Sequence, residues 1–174
     1  MPKSYSNLTT SNLLSRTIKH ITWACNKMDE HWFIAEAEFN PEKTEFPIDG
    51  YFNPDRNLQR CKIVIRFEHV NNMKGKKKLR VWDSSIKLTA IHEICHAIIY
   101  KRMAVKERNN STDLYSHYYE TERLEEIAAW TMTLNWVKKL RMHKSLTHLK
   151  NLNKFYFPEG FKLPNEFLIR TNKN

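Results

Sequence analysis

Ala90-Ile91-His92-Glu93-Ile94-Cys95-His96-Ala97-Ile98-Ile99 is the stretch on which the fold turns, because two imidazoles and a carboxylate stand among alanines and isoleucines. A helix this apolar on every side is buried all round, so it belongs at the centre of the domain. Asp83-Ser84-Ser85 offers cap oxygens ahead of it, and the polar run Lys106 to Thr112 ends it. Downstream, Ser111 or Thr112 caps a second long helix that runs to about Met142 without Pro or Gly. Upstream, Cys61 to Val70 alternates and is β-branched, which predicts a strand. The lysine-rich segment around Gly75 is read as its hairpin turn and Lys78 to Trp82 as the return strand. His31 to Phe39 suits another strand, while Asp49-Gly50 and Asn53-Pro54 mark turns. Asn12 to Met28, apolar at Leu13, Leu14, Ile18, Ile21 and Ala24/Cys25, predicts a first amphipathic helix. The expected fold class is α+β: a small, mostly antiparallel sheet of three or four strands packed on the N-terminal helix, the central helix and a long glutamate-bearing helix.

At 174 residues the chain has the size of one domain, here 1–174, with a flexible start at about 1–10 and an irregular aromatic tail at about 148–174. Its three cysteines, Cys25, Cys61 and Cys95, are odd in number and lack CxxC spacing, which excludes a disulfide framework and a thiolate zinc site. A reducing, cytoplasmic setting is expected. The polar start lacks an apolar leader core, and no stretch reaches the roughly 18 apolar residues of a membrane span. No membrane partner is expected. The formal net charge is +10, and Lys74 to Arg80 holds the tightest basic run, which is either a solvated turn or a patch for nucleic acid or an acidic partner.

The central helix carries His92-Glu93-Ile94-Cys95-His96, the HExxH pattern. Four residues make about one helical turn, so both imidazoles leave one face and can meet one Zn2+ at about 2.0–2.1 Å from each nitrogen. Glu93, beside the first histidine, can reach a water on the ion, whose pKa zinc brings to near 7. Buried histidines and a buried glutamate are costly without partners, and a metal supplies one. Cys95 is turned about 100° from His96 and is read as a core residue. A third ligand is expected on the next helix. Glu125 shares a stripe with Ala129, Met132 and Trp136 and is the first candidate, while Glu126, Glu122 and His117 stay open. An electrophile that steadies the oxyanion is sought where Tyr115, His117, Tyr118 and Tyr119 cluster, with His117 or Tyr118 the candidates within it and an aromatic collar between helix and sheet the competing reading for each.

With HEICH followed by Glu125-Glu126-Ile127-Ala128-Ala129, the chain resembles the gluzincin metallopeptidases, and among them the ImmA/IrrE type. The resemblance covers about Cys61 to Leu140. It implies His92 and His96 as zinc ligands, Glu93 as general base and Glu125 as third ligand, with Ala128 as the alanine three residues on. It departs at Ala129, where that family tends to carry a polar residue, and in lacking a Gly before the second histidine. The HExCHA form of His92 to Ala97 is also similar to SprT-like metalloproteases, which implies His117 as third ligand and work near DNA, although no glycine flanks His117 here. The expected activity is zinc-dependent hydrolysis of peptide bonds in a protein or peptide substrate. The alternatives are a SprT-like protease, a zinc-bearing regulator that cleaves nothing, and a nucleic-acid-binding module that uses Lys76, Lys77 and Lys78.

Overall fold

A computed structural model describes residues 10–31, 33–39, 48–54, 61–67, 76–108, 122–144, 161, 162 and 164. Along the chain these form α1 (Thr10–Met28), β1 (Phe33–Phe39), β2 (Ile48–Pro54), β3 (Cys61–Phe67), α2 (Lys76–Arg108) and α3 (Glu122–Lys139). The class is α+β. No helix among the described residues is long and apolar enough to cross a membrane.

Helix α1 buries Leu13, Thr17, Ile21, Ala24, Cys25 and Met28, a stripe that repeats every three or four residues. It ends where Asp29 turns left-handed at φ 58° and the Glu30 amide donates to the Cys25 carbonyl at 2.9 Å. Arg141, at φ 56°, ends α3 in the same way, with the Met142 amide donating to the Val137 carbonyl at 2.8 Å. Both are Schellman closures built without glycine.

The expected mostly antiparallel sheet is corrected to a three-stranded mixed one in the order β1-β3-β2. β3 runs parallel to β1, pairing Ala35 with Ile63, and antiparallel to β2, pairing Gly50 with Ile65 and Pro54 with Cys61. Ile63 and Val64 are neighbours on opposite faces and both are buried, so the middle strand is covered on both sides. Residues 48–54, read from the sequence as turns, are an edge strand instead. Pro54 is tolerated there as the last residue of an edge, where its missing N–H breaks no inner ladder.

Lys78 to Trp82, the expected return strand, belongs to α2. The glycine in the lysine-rich run suggested a hairpin turn and hence a return strand. What governs the segment is the spacing of Leu79, Trp82 and Ile86, three buried side chains at helical intervals. Lys76 to Arg80 therefore opens a helix rather than a hairpin, while Lys74 and Gly75 lie outside the described residues. With 33 residues α2 is about 50 Å long and packs against α1, α3, β2 and β3. Every residue from Ala90 to Ile98 is buried, as its apolar surroundings predict.

Asp83, expected to cap α2, lies within it and ties it to α1. Arg16 donates to both Asp83 carboxylate oxygens, and His20 Nε2 lies 2.8 Å from Oδ1. Burial alone would raise the Asp83 carboxyl, but the bonds from Arg16 and His20 hold it below the ordinary carboxylate range. A folded value below the unfolded one, near 3.8, gives stability that is present above that pH and lost as pH falls through the folded value. Asp83→Asn should therefore cost about 1–2 kcal/mol at neutral pH, since Arg16 is partly solvated. Urea midpoints of the two proteins should converge as pH falls through the lowered folded value. A gap that persists in acid would assign the loss to packing.

Candidate metal centre

His92 and His96 are one turn apart on α2 and share the face that meets α3, as the spacing requires. Their rings meet edge to face with centroids 4.6 Å apart, and the two Nε2 atoms lie 3.1 Å from each other. The carboxylate that joins them is that of Glu126. One of its oxygens is 3.1 Å from His96 Nε2 and the other 3.4 Å from His92 Nε2. Among the described residues, His92, His96 and Glu126 form the group of side chains able to hold a metal ion.

Glu125, the first candidate from the sequence, is placed differently: its Oε1 accepts from His96 Nδ1 at 2.8 Å, on the far side of the ring from Glu126. The reason is the rotation of α3. The stripe expected to face inward was Glu125, Ala129, Met132 and Trp136. Ala129 is buried and Met132 and Trp136 pack against the core as that stripe predicts, but the buried face extends round to Trp130, Thr133, Leu134 and Val137, and on that side Glu126 meets both Nε2 atoms. Ala128 is exposed, and Ala129 is buried. Of Glu122 the side chain is not described, and His117 and Tyr118 lie outside the described residues with Tyr115 and Tyr119.

The outer nitrogens of both rings are occupied. His92 Nδ1 lies 3.2 Å from Thr133 Oγ1, and Thr133 in turn donates to the Ala129 carbonyl at 2.7 Å. Trp130 stacks on the His92 ring at 4.1 Å and 23°. Neither residue was singled out in the sequence, although both follow Glu126 at helical intervals of four and seven. Burial pushes the His92 imidazole below its ordinary range, against the pull of the Glu126 carboxylate. Burial would do the same to His96, but hydrogen bonds with Glu125 and Glu126 and the charge of Glu93 push it up to about 10. The His96–Glu126 pair also holds the Glu126 carboxyl far below the carboxylate range, despite its burial. The two carboxylates thus favour the charged form of the His96 ring, while burial favours the neutral form of His92.

The geometry suits zinc. Two imidazole nitrogens and a carboxylate oxygen match its usual catalytic donors, and the corners of a tetrahedron with bonds of about 2.0–2.1 Å lie about 3.3–3.4 Å apart. Here the two Nε2 atoms are 3.1 Å apart, and the carboxylate approaches them through different oxygens, one 3.1 Å from His96 Nε2 and the other 3.4 Å from His92 Nε2.

Glu93 is buried on the side of α2 that meets β2. The strand comes so close that a Cβ on Gly50 would fall 2.6 Å from Thr89 Cγ2 and 2.9 Å from Glu93 Oε1. Only glycine lets β2 lie this near the carboxylate. Gly50→Ala should therefore cost about 1–3 kcal/mol, because Thr89 is β-branched and cannot swing aside. Chemical denaturation measures this, and an unchanged midpoint would place β2 further from α2. Phe52, two residues on, meets Tyr100 edge to face at 5.8 Å, so β2 follows α2 in the same direction past the site. β3 is flanked on both sides and Lys78 to Trp82 is helical, so neither is the sheet edge at the site; that edge is β2. Cys95 is fully buried, as expected, and burial pushes its thiol up to about 12 against a hydrogen bond with Thr133. Comparison with family models, with characterised proteins and with solved structures gives no match to this chain.

Proposed function

We propose that the chain is a zinc metallopeptidase in which His92, His96 and Glu126 hold the ion and Glu93 is the general base. The observation that carries this reading is the convergence of two Nε2 atoms and one carboxylate within 3.4 Å of each other, with both Nδ1 atoms already engaged behind them. When bound, zinc supplies a Lewis acid and brings the pKa of water to near 7. Glu93 takes the proton of the attacking water and returns it to the leaving amine. A buried carboxylate performs this transfer with little reorganisation of solvent. Among the described residues no strand pairs with the outer edge of β2, and its backbone groups can align an extended peptide beside Glu93. A peptide substrate suits such an edge better than a folded surface, because alternate residues of the added strand still reach the cleft.

Metal analysis of the purified protein, with hydrolysis of an unstructured peptide library before and after chelation, tests the reading. About one zinc per chain and hydrolysis that chelation abolishes and zinc restores are expected. Absence of zinc from protein purified without chelator, and failure to take it up, would overturn it.

A further inference from the structure

We propose that Thr133 is a positioning residue that fixes His92 as the Nδ1–H tautomer and so turns a bare Nε2 towards His96 and Glu126. The inference rests on the metal-site reading above, and goes beyond it in giving a role to a side chain that touches no metal. A threonine hydroxyl has one proton, and Thr133 commits it to the Ala129 carbonyl at 2.7 Å, which can only accept. Towards His92 Nδ1, at 3.2 Å, the hydroxyl can therefore offer only a lone pair. Nδ1 must donate, and in a neutral imidazole Nε2 then carries no hydrogen. Both groups are buried, so no bulk water takes over either bond. Trp130, stacked on the same ring, keeps the imidazole from turning its other edge to the hydroxyl.

Glu126, Trp130 and Thr133 thus lie on one face of α3, at intervals of four and three residues, and act on one histidine. The two histidines are served unequally. His96 has a carboxylate behind it, Glu125, which favours a protonated ring. His92 has a neutral acceptor whose polarity is set by a backbone carbonyl, and this holds the ring neutral and oriented. The hydroxyl also shares a hydrogen bond with the buried Cys95 thiol, and it can receive that bond on its second lone pair while still donating to the Ala129 carbonyl.

Thr133→Val keeps the shape of the side chain and removes the acceptor, Thr133→Ala removes it without the branch, and Thr133→Ser restores it. Two readouts are needed. The tautomer of His92 is read by long-range proton–nitrogen correlation of the imidazole in the metal-free protein, and zinc affinity by competition with a chromophoric chelator. Wild type and Thr133→Ser should show the Nδ1–H pattern. Thr133→Val and Thr133→Ala should lose it and bind zinc about 10–100-fold more weakly, while Thr133→Ser stays within about threefold of wild type. If Val and Ala variants that are folded by circular dichroism keep both the Nδ1–H pattern and full affinity, the proposal is overturned. Should wild type take up no zinc, the metal-site reading fails by itself, and the tautomer shift in Thr133→Val and Thr133→Ala still decides the role of Thr133.

Discussion

Glu126→Gln is expected to weaken zinc binding by about 10²-fold or more, whereas Glu125→Gln should stay within about tenfold of wild type. The contrast follows from the two ends of the His96 ring. Glu126 stands at the Nε2 end, 3.1 Å away, with its other oxygen facing His92 Nε2, so in the proposed site it is the anionic third donor. Structural zinc sites in small peptides bind with apparent free energies of about 10–16 kcal/mol shared over four ligands, so one ligand accounts for about 3 kcal/mol or more. This corresponds to about 10²-fold in affinity. Glutamine at 126 keeps the size and loses the charge. Glu125 stands at the Nδ1 end, 2.8 Å away, and there glutamine still offers an amide oxygen to the ring proton. Glu125→Ala removes that acceptor and should fall between the two, at about 10–100-fold. Chelator competition on the four proteins reads the series directly. The reverse order, with Glu125→Gln the more damaging, would return the third-ligand role to Glu125 and require α3 to turn by about 100°.

Glu93→Gln should keep its zinc and lose peptide hydrolysis by about 10²–10⁴-fold, the range that a positioned general base contributes. The substitution is nearly isosteric, which matters because Glu93 sits beneath Gly50 with no room to spare. Glutamine fills the same space, yet cannot take a proton from water. Zinc content and the urea midpoint serve as controls for site and fold. Hydrolysis by Glu93→Gln at the wild-type rate would remove Glu93 as base. A wild type that holds one zinc per chain and cleaves no peptide would favour the regulator over the enzyme. The basic surface is a separate matter, since Lys76, Lys77 and Lys78 now belong to the first turn of α2 rather than to a loop.

The departures from the sequence reading share a cause. Leu79 and Val81 alternate over too few residues to distinguish a strand from a helix, and the length of α2 is settled by the burial of Trp82 and Ile86 with it. Asp49-Gly50 and Asn53-Pro54 have the composition of turns, but pairing with β3 outweighs local preference, and Gly50 serves close approach to Glu93 instead of a bend. In α3, Glu125 and Glu126 are adjacent and equally acidic. No local property separates them.

The sequence by itself determined the centre of this protein: a helix too apolar to face water, with His92 and His96 four residues apart on it and Glu93 between. Those relations are internal to one helix, and the pitch of the backbone sets them whatever surrounds it. Only the tertiary structure decided which carboxylate lies against both Nε2 atoms, which strand borders Glu93, and that Thr133 and Trp130 touch His92. Each of these depends on how one element is rotated or docked against another. Such rotations are chosen by the summed packing of side chains distant in the chain, here Ala129, Trp130, Leu134 and Val137 in the core.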